Sequence, residues 1–152
     1  MEASVTSDPI VSVIMPFYDT PRLFLEEAVE SVYSQTDPRW ELLLVDDGSA
    51  PPISDFAEQL ADQDARTRYY EHDGHANQGA GKSRNLGIRR ARGRYIAFLD
   101  ADDVWLASKL EQQIALMEAN TRVGMLYGNS QYWRTWRKDA GKQHQDYFPH
   151  LD

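Results

Sequence analysis

The chain has 152 residues, of which 41% are hydrophobic and 26% charged, so its length and composition fit one globular domain with a sizeable core. A formal net charge of −8 argues against a nucleic-acid backbone or an anionic membrane surface as its general partner. It has no cysteine, which excludes disulfides and thiolate metal sites and fits a reducing compartment, the cytoplasm, and no run of about eighteen apolar residues predicts a membrane span.

Hydrophobic patterns predict strands that alternate with helices along most of the chain. Each strand is a short run rich in apolar and β-branched residues, and each helix carries apolar residues on one stripe. In chain order these are a strand at 10–17, a helix at 21–35, a strand at 40–45, a helix at 54–64, a strand at 68–71, a helix at 82–92, a strand at 95–99, a helix after Ser108 and a strand candidate at 123–127. The alternation implies the α/β class, with a mostly parallel sheet and right-handed crossovers.

Local signals predict three helix ends. Thr20, followed by proline, predicts the N-cap of the first helix. Gly93 predicts the C′ residue of the third helix. Ser108 with Glu111 matches a capping box at the start of the last helix.

Two of the predicted strands end in carboxylates, and this is the main chemical signal in the chain. Asp46 and Asp47 follow the second strand, and three more carboxylates follow the strand at 95–99, whose apolar run has the length of a strand buried on both faces. These three are Asp100, Asp102 and Asp103. In a parallel sheet both groups lie on the carboxyl edge, where α/β proteins bind ligands, beside Tyr18 and Asp19. Hard oxygen ligands suit Mg²⁺ or Mn²⁺, and the alternative is an acidic turn that caps the next helix.

Residues 79–83 (GAGKS) contain half of a phosphate-loop motif. The full motif needs glycine where Ala76 stands, and it should follow a strand directly, whereas residues 71–78 intervene. Glycines that open a helix with Lys82 and Arg84 in its first turn still predict an anion site, and the alternative is a solvated basic helix.

The histidines carry a weaker signal. His72 and His75 lie three residues apart in the same polar loop, and we expect them to be exposed to solvent rather than to bind a metal. His144 and His150 lie in the C-terminal tail.

Three stretches together resemble the nucleotide-sugar-binding half of family-two glycosyltransferases with the GT-A fold. VSVIMPFYD (11–19) is similar to the opening strand of the family, and WELLLVDDGS (40–49) is similar to its second strand with the "DDGS" ending. GKSRNLGIRRARGRYIAFLDADD (81–103) resembles the stretch from the "ARNxG" phrase to the D-x-D signature. The resemblance covers about Val11 to Tyr127 and implies a Rossmann-like three-layer sandwich.

The resemblance also implies roles by position. Pro16, Tyr18 and Asp47 would line the nucleotide base and ribose, with Asp47 accepting a hydrogen bond from the base. Asp19 stands where the family usually has Asn, and Lys82 where small residues are common. The remaining residues of the implied site are Arg84 toward the base or diphosphate, Asp100 and Ala101 at the ribose or sugar, Asp102 on a bridging Mg²⁺ or Mn²⁺, and Asp103 in a structural role.

The activity that the resemblance implies is inverting transfer of a sugar from a UDP- or GDP-sugar. The acceptor, a saccharide, lipid or protein, is not specified by the sequence, and cell-wall or polysaccharide biosynthesis is the expected setting. The aromatic residues Tyr132, Trp133 and Trp136 would favour self-association if exposed.

The expected organisation is a disordered lead-in at 1–9, a nucleotide-sugar-binding domain at 10–128 and the start of an acceptor-side region at 129–152. In the family the general base lies in the second half of the domain, so we expect it beyond residue 152 and the chain to be truncated. Three alternatives stay open. They are a P-loop phosphotransferase that uses residues 79–83 and Asp100, a receiver-type signalling domain, and a nucleotide-binding fragment with no activity by itself.

Overall fold

The computed structural model describes residues 8–128 and residue 130. Residues 1–7 of the predicted lead-in, the aromatic tail, and His144 and His150 therefore lie outside the described residues. The elements are β1 (Val11–Phe17), α1 (Arg22–Tyr33), β2 (Trp40–Asp46), α2 (Pro51–Ala61), β3 (Thr67–Glu71), α3 (Ala80–Arg90), β4 (Tyr95–Phe98) and α4 (Lys109–Ala119). No helix within the described residues has the length and apolar character needed to cross a membrane.

The four strands form one parallel sheet in the order β3-β2-β1-β4. The chain therefore moves one way from β1 to β3 and then returns to the other side of β1 to form β4. Right-handed crossovers place α1 and α2 on one face of the sheet and α3 on the other. This confirms the predicted three-layer α/β architecture, and it makes the carboxyl ends of β1 and β4 a topological switch point, where open α/β sheets bind ligands.

The core lies on both faces of the two central strands, since every residue of β1 and β2 is buried. Under α3, Ile14, Leu43, Val45 and Leu86 form one apolar cluster. A Cβ at Gly87 would lie 2.4 Å from the Ile14 side chain, so this glycine lets α3 approach β1 closely. Burial of each such aliphatic side chain contributes about 1.5–3 kcal/mol to the free energy of folding. The central strands therefore need long apolar runs, and such runs are easily recognised in the sequence.

β4 differs from its prediction, because it is not buried on both faces. Its residues alternate between half-buried and exposed, and Ile96 and Phe98 are 39% and 48% exposed. Among the described residues β4 pairs with β1 alone and lies at the edge of the sheet. An apolar run predicts a strand, but the neighbours that cover it are set elsewhere in the chain.

The chain divides into two compact units, Met1–Gln112 and Gln113–Asp152, and α4 spans the boundary. In the second unit the predicted strand at Val123–Tyr127 was wrong, since these residues form no strand. A turn precedes them, in which the Val123 N–H donates to the Asn120 carbonyl at 2.9 Å.

Two of the predicted helix ends were also wrong. Pro21, not Thr20, is the N-cap of α1, and it supplies a backbone carbonyl rather than a side-chain cap. α3 ends at Arg90 with Ala91 as its C-cap, so Gly93 lies two residues beyond the cap and is not the C′ residue. Gly93 is needed for a different reason, because a Cβ there would lie 2.5 Å from the Ser12 nitrogen.

A buried carboxylate joins three elements at the amino edge of the sheet. Glu41 is 1% exposed and accepts hydrogen bonds from the Ser12 hydroxyl at 2.5 Å and the Arg92 N–H at 2.7 Å. It also pairs with the Arg68 and Arg92 guanidinium groups. Burial alone would raise the pKa of Glu41, but the hydrogen bonds from Ser12 and Arg92 and the charge of Arg68 hold that pKa below its usual range. Ser12 in turn accepts the Gly93 N–H at 2.8 Å, so the turn before β4 is fixed to the sheet.

Candidate functional site

Four loops meet at the carboxyl edge of the sheet, one after each strand. They span residues 18–21, 47–50, 72–79 and 99–103. All four belong to the first compact unit. The sequence predicted this edge from its carboxylates, and the parallel topology confirms that the strands ending in them point the same way.

The loops after β1 and β2 are joined by two hydrogen bonds. The Ala50 N–H donates to Asp19 Oδ1 at 2.7 Å, and the Asp19 N–H donates to Ser49 Oγ at 3.0 Å. Asp19 has a φ of 43°, in the left-handed region that Asp and Asn tolerate better than other residues with a side chain. The position therefore suits either residue, which gives a physical reason why Asp can stand where the family that the sequence resembles usually has Asn.

Asp46 is fully buried at the end of β2, and each of its oxygens has a donor. Oδ1 accepts the Ser49 N–H at 2.8 Å, and Oδ2 accepts the Tyr69 hydroxyl at 2.9 Å. Burial and the Asp46 carboxylate both raise the pKa of Tyr69, so the phenol keeps its proton for this bond. Asp46 thus closes the turn after β2 and links it to β3.

Asp47 holds the loop after β3 instead of facing solvent. It is 4% exposed, and its Oδ1 accepts the Gln78 N–H at 2.8 Å and the Ser83 hydroxyl at 3.1 Å. Both carboxylate oxygens lie within hydrogen-bond distance of the Gly79 nitrogen, at 2.9 and 3.0 Å. The predicted anion site at the start of α3 is therefore filled by a carboxylate of the chain itself. A hydrogen bond that Asp47 accepts from a nucleotide base stays a prediction, and it would have to form beside these bonds.

His72, Ser83 and Asp47 are in contact, but they do not form an accessible catalytic triad. The Ser83 hydroxyl donates to Asp47, so His72 Nε2, 2.9 Å away, donates to Ser83. Ser83 is 0% exposed, and no substrate atom can reach its oxygen in this arrangement. His72 is also buried, which shows that the expected solvent exposure of this histidine was wrong.

The same contacts argue against a phosphate loop at residues 79–83. A phosphate loop needs its backbone N–H groups for phosphate and its Ser hydroxyl for Mg²⁺. Here the Gly79 N–H and the Ser83 hydroxyl both bind Asp47. A short 3₁₀ turn, Asp73–His75, also separates the loop from β3.

Gly48 allows the loops after β2 and β3 to touch. It has a φ of 85°, and a Cβ at this position would lie 2.8 Å from the Asn77 nitrogen and 2.9 Å from the His75 carbonyl oxygen. A side chain would therefore strain the backbone and separate the loops.

Arg84 and Asp100 connect α3 with the loop after β4. The Arg84 guanidinium donates to Asp100 Oδ1 at 2.6 Å, and both side chains are accessible, with 36% and 53% of their area exposed. The sequence predicted both as ligand-binding residues. The structure brings them together at the open side of the edge, where a ligand could exchange for either partner.

The remaining acids of this loop are exposed. Asp102 and Asp103 face solvent, while Ala101, between Asp100 and Asp102, is buried. Burial and then the charges of Asp102 and Asp100 raise the pKa of Asp103, because the nearby negative charges disfavour its ionised form. No set of three or more potential ligands converges as a metal site within residues 8–128.

Pro16 and Tyr18 differ in their accessibility. Pro16 is buried inside β1, where it pairs with Val45. Tyr18 is 54% exposed beside the switch point and presents an open aromatic surface.

Sequence reasoning missed three residues that organise this edge, namely Ser49, His75 and Ser83. Each forms hydrogen bonds to residues 26 to 36 positions away in the chain. Ser49 lies in the DDGS stretch and Ser83 in the GAGKS stretch, but no structural role was predicted for either, and His75 was expected to be exposed to solvent. The positive φ of His75, 53°, is visible only in the folded chain.

Comparison with known proteins identifies relatives over most of the chain. The family model described as glycosyl transferase family 2 matches residues 12–150. TuaG of Bacillus subtilis, named a putative teichuronic acid biosynthesis glycosyltransferase, is 43% identical over 111 residues, which are 72% of this chain and 42% of that protein. WfgD of Escherichia coli, named a UDP-Glc:α-D-GlcNAc-diphosphoundecaprenol β-1,3-glucosyltransferase, is 38% identical over 80% of this chain and 46% of that protein.

Solved structures show the same fold. Staphylococcus aureus TarS in complex with UDP superposes with a TM-score of 0.65 at 25% identity and covers 73% of this chain and 32% of that one. The mannosyltransferase PcManGT of Pyrobaculum calidifontis, in complex with GDP-Man and Mn²⁺, gives a TM-score of 0.64 at 24% identity, over 74% of this chain and 33% of that one. The chain spans less than half the length of these proteins.

Proposed function

The chain belongs to glycosyl transferase family 2, and on that premise we propose that it is the donor-binding part of an inverting, metal-dependent glycosyltransferase. The donor is a nucleotide-diphosphate sugar of the UDP or GDP type. Residues 10–128 form the nucleotide-sugar-binding domain, and residues 129–152 begin the acceptor side.

The observation that carries the proposal is the open cluster at the topological switch point. Tyr18 offers an aromatic surface after β1, while Arg84 and the acids after β4 offer charges that the fold leaves accessible. A nucleotide diphosphate needs this combination, since its base stacks on aromatic surfaces and its phosphates require positive charge. Asp19 supports the same subsite by joining the loop that carries Tyr18 to the loop after β2, and Asp47 supports this edge by holding the loop after β3.

The residues present fit a divalent cation that is shared with the ligand. Asp102 is an exposed carboxylate beside Asp100 and Asp103, and Mg²⁺ is often held by one or two carboxylates together with substrate phosphates. Such a site needs no cage of three protein ligands. When bound, the cation would supply charge stabilisation for the leaving diphosphate.

The proposed reaction is a single displacement at the anomeric carbon. An acceptor hydroxyl oxygen attacks that carbon as the bond to the diphosphate oxygen breaks, and the acceptor proton passes to a general base outside the described residues. Arg84, released from Asp100, donates to the diphosphate as negative charge develops on it. Asp100 and Ala101 then border the ribose or sugar.

The names of the relatives support this chemistry at a coarser level. WfgD is named for a UDP-Glc donor, and the TarS structure contains UDP. TuaG and WfgD are named for teichuronic acid biosynthesis and a diphosphoundecaprenol acceptor, so we place the chain in cell-envelope polysaccharide synthesis.

Calorimetric titration of the chain with UDP, GDP and ATP, with and without Mn²⁺, tests the proposal. We expect UDP or GDP to bind roughly tenfold more tightly with the metal, a difference of about 1.4 kcal/mol. Asp102→Ala should abolish this metal dependence and leave the thermal unfolding midpoint unchanged. Asp62→Ala, which removes an exposed acid at the end of α2, is the matched control and should behave as wild type.

Two results would contradict the proposal. A preference for ATP over both UDP and GDP would favour a phosphotransferase. Full metal-dependent binding by Asp102→Ala would show that the metal lies elsewhere.

A further inference from the structure

His75 lies between two hydrogen-bond acceptors that come from different strands. Its Nε2 is 2.7 Å from the Ser49 carbonyl oxygen in the loop after β2, and its Nδ1 is 2.6 Å from Glu71 Oε2 at the end of β3. The residue has a φ of 53°, and its side chain is 37% exposed. Its ring therefore bridges the two loops at the rim of the carboxyl edge.

The identity of the partners fixes the protonation state of the ring. A backbone carbonyl can only accept, so Nε2 must carry a hydrogen to bind Ser49. An ionised carboxylate can also only accept, so Nδ1 must carry a hydrogen to bind Glu71. Both nitrogens are donors only in the imidazolium ion, and a neutral ring would turn one lone pair toward an acceptor.

The surrounding charges favour the same state. The hydrogen bonds to Ser49 and then Glu71 raise the pKa of His75 above its ordinary value, and the negative charges of Asp46 and Glu71 add to this, while burial lowers it only in part. The charged groups that act on the ring are Glu71 from β3 and Asp46 from β2, and the Tyr69 hydroxyl lies 3.3 Å from the same Glu71 oxygen that His75 binds. No basic group is among them in the described residues.

Ser49 connects His75 to the loop after β1, which carries Tyr18 of the proposed nucleotide subsite. Its N–H binds Asp46, and its hydroxyl accepts the Asp19 N–H. The next residue, Ala50, donates to the Asp19 carboxylate. A fixed Ser49 therefore fixes the loop after β1, which carries Tyr18.

We propose that protonated His75 is a positioning residue of the nucleotide subsite. Its two hydrogen bonds, to the Ser49 carbonyl and to Glu71, form a clasp that holds the turn after β2 and thereby orders the loop that carries Tyr18. This role rests on the proposed function, because it assigns the pH dependence of nucleotide binding to a residue that does not touch the nucleotide. Since the imidazolium makes the clasp, nucleotide affinity is highest near and below pH of about 6.5 and falls as pH rises through the raised pKa of His75.

The matched variant is His75→Asn. Asparagine tolerates the left-handed backbone of this position but has no ring and does not titrate near neutral pH, so the loop keeps its local conformation while the clasp is lost. Glu71→Gln is the second variant, because it removes the charge that favours the imidazolium and leaves a neutral acceptor.

The experiment measures UDP binding by calorimetry between about pH 6 and pH 9, at constant Mg²⁺, for wild type and both variants. The difference between wild type and variant at each pH removes the titration of the nucleotide's own phosphate. We expect wild type to lose roughly threefold to tenfold more affinity over this range than His75→Asn, with the Glu71→Gln midpoint at lower pH. Nuclear magnetic resonance titration of the ring nitrogens, assigned by the signal missing in His75→Asn, should show both of the His75 nitrogens protonated at neutral pH.

Two outcomes would overturn the role of His75. One is an ordinary pKa for its ring, and the other is a pH profile of binding that His75→Asn leaves unchanged. Failure of wild type to bind UDP or GDP at any pH would overturn the proposed function and the positioning role together, and the ring titration distinguishes that result from the first two.

Discussion

Two groups of carboxylates lie on the same edge of the sheet, and their surroundings are opposite. The inner acids, Asp46 and Asp47, are buried, and all four of their oxygens accept hydrogen bonds from the chain. The outer acids, Asp100, Asp102 and Asp103, are exposed, and they crowd one another in a single short loop.

The difference separates structural from ligand-binding carboxylates. An inner acid has exchanged its water for donors of the chain, so its charge serves the fold. The outer acids stay accessible to solvent, although Asp100 pairs with Arg84, and a cation or ligand can bind them at little cost to the fold. Both groups consist of aspartates at strand ends. What makes an aspartate structural is therefore the number of hydrogen-bond donors of the chain that surround its carboxylate.

The largest effect should come from removing an inner acid. Asp47→Ala leaves the buried Ser83 hydroxyl and the partly buried N–H donors of Gln78 and Gly79 without their acceptor. We expect a loss of about 3–5 kcal/mol in the free energy of unfolding, measured by urea denaturation at pH 7.

The comparison variant is Asp102→Asn, an outer acid, which should change the unfolding free energy by less than about 0.5 kcal/mol. If Asp47→Ala does not fold, Asp47→Asn, which keeps one acceptor oxygen, should give an intermediate loss. Equal stability losses for inner and outer variants would remove the distinction between the two groups.

A smaller effect should come from separating the loops that the inner acids join. Gly48→Ala introduces a side chain at a φ of 85° and a contact of 2.8 Å with the Asn77 nitrogen. We expect a loss of about 2–3 kcal/mol in the unfolding free energy, measured in the same way.

Gly74→Ala is the matched control for this substitution. Gly74 also has a positive φ, 67°, but a Cβ there meets no atom within 4 Å. It should cost only about 1 kcal/mol, the strain of the backbone alone. A cost for Gly74→Ala as large as that for Gly48→Ala would show that loop contact contributes nothing.

The smallest effect should come from neutralising an outer acid, and it has the opposite sign. Burial and the charges of Asp102 and Asp100 raise the pKa of Asp103, so its ionised form destabilises the folded chain at pH 7. Asp103→Asn should therefore raise the unfolding free energy by at most about 0.5 kcal/mol.

This gain should disappear as the pH falls through the raised pKa of Asp103, because the wild-type carboxyl is then protonated as well. Thermal unfolding midpoints of wild type and variant at about pH 7 and pH 4 measure it. A destabilised Asp103→Asn at neutral pH would mean that Asp103 has a stabilising partner, as an inner acid has.

The sequence predicted the sheet well, because each central strand is an apolar run with a single polar residue, as in VSVIM or WELLLV, and such runs have few other ways to be buried. It also placed both groups of acids at the correct edge, since parallel topology follows from the alternation of strands and helices. It did not separate the two groups. The donors of Asp47 lie 31 to 36 residues away, and no local pattern shows that they return to it.

The same limit explains the errors at β4 and His72. An apolar run gives no information on which strands will flank it, so the exposure of Phe98 could not be read from its neighbours in sequence. His72 is buried where it hydrogen-bonds to Ser83, 11 residues later in the chain, and sequence spacing does not predict such a contact.

The Glu41 network at the amino edge has a consequence for the order of folding. β4 is four residues long, and its turn reaches Ser12 across 80 residues of sequence, so closing that loop costs much entropy for few contacts. We expect β4 to join the sheet last, after β1, β2 and β3 have formed from nearer segments. Glu41 and Ser12 then accept the hydrogen bonds of the Arg92–Gly93 turn. The outer acids, just after β4, reach their native positions only when these bonds have formed.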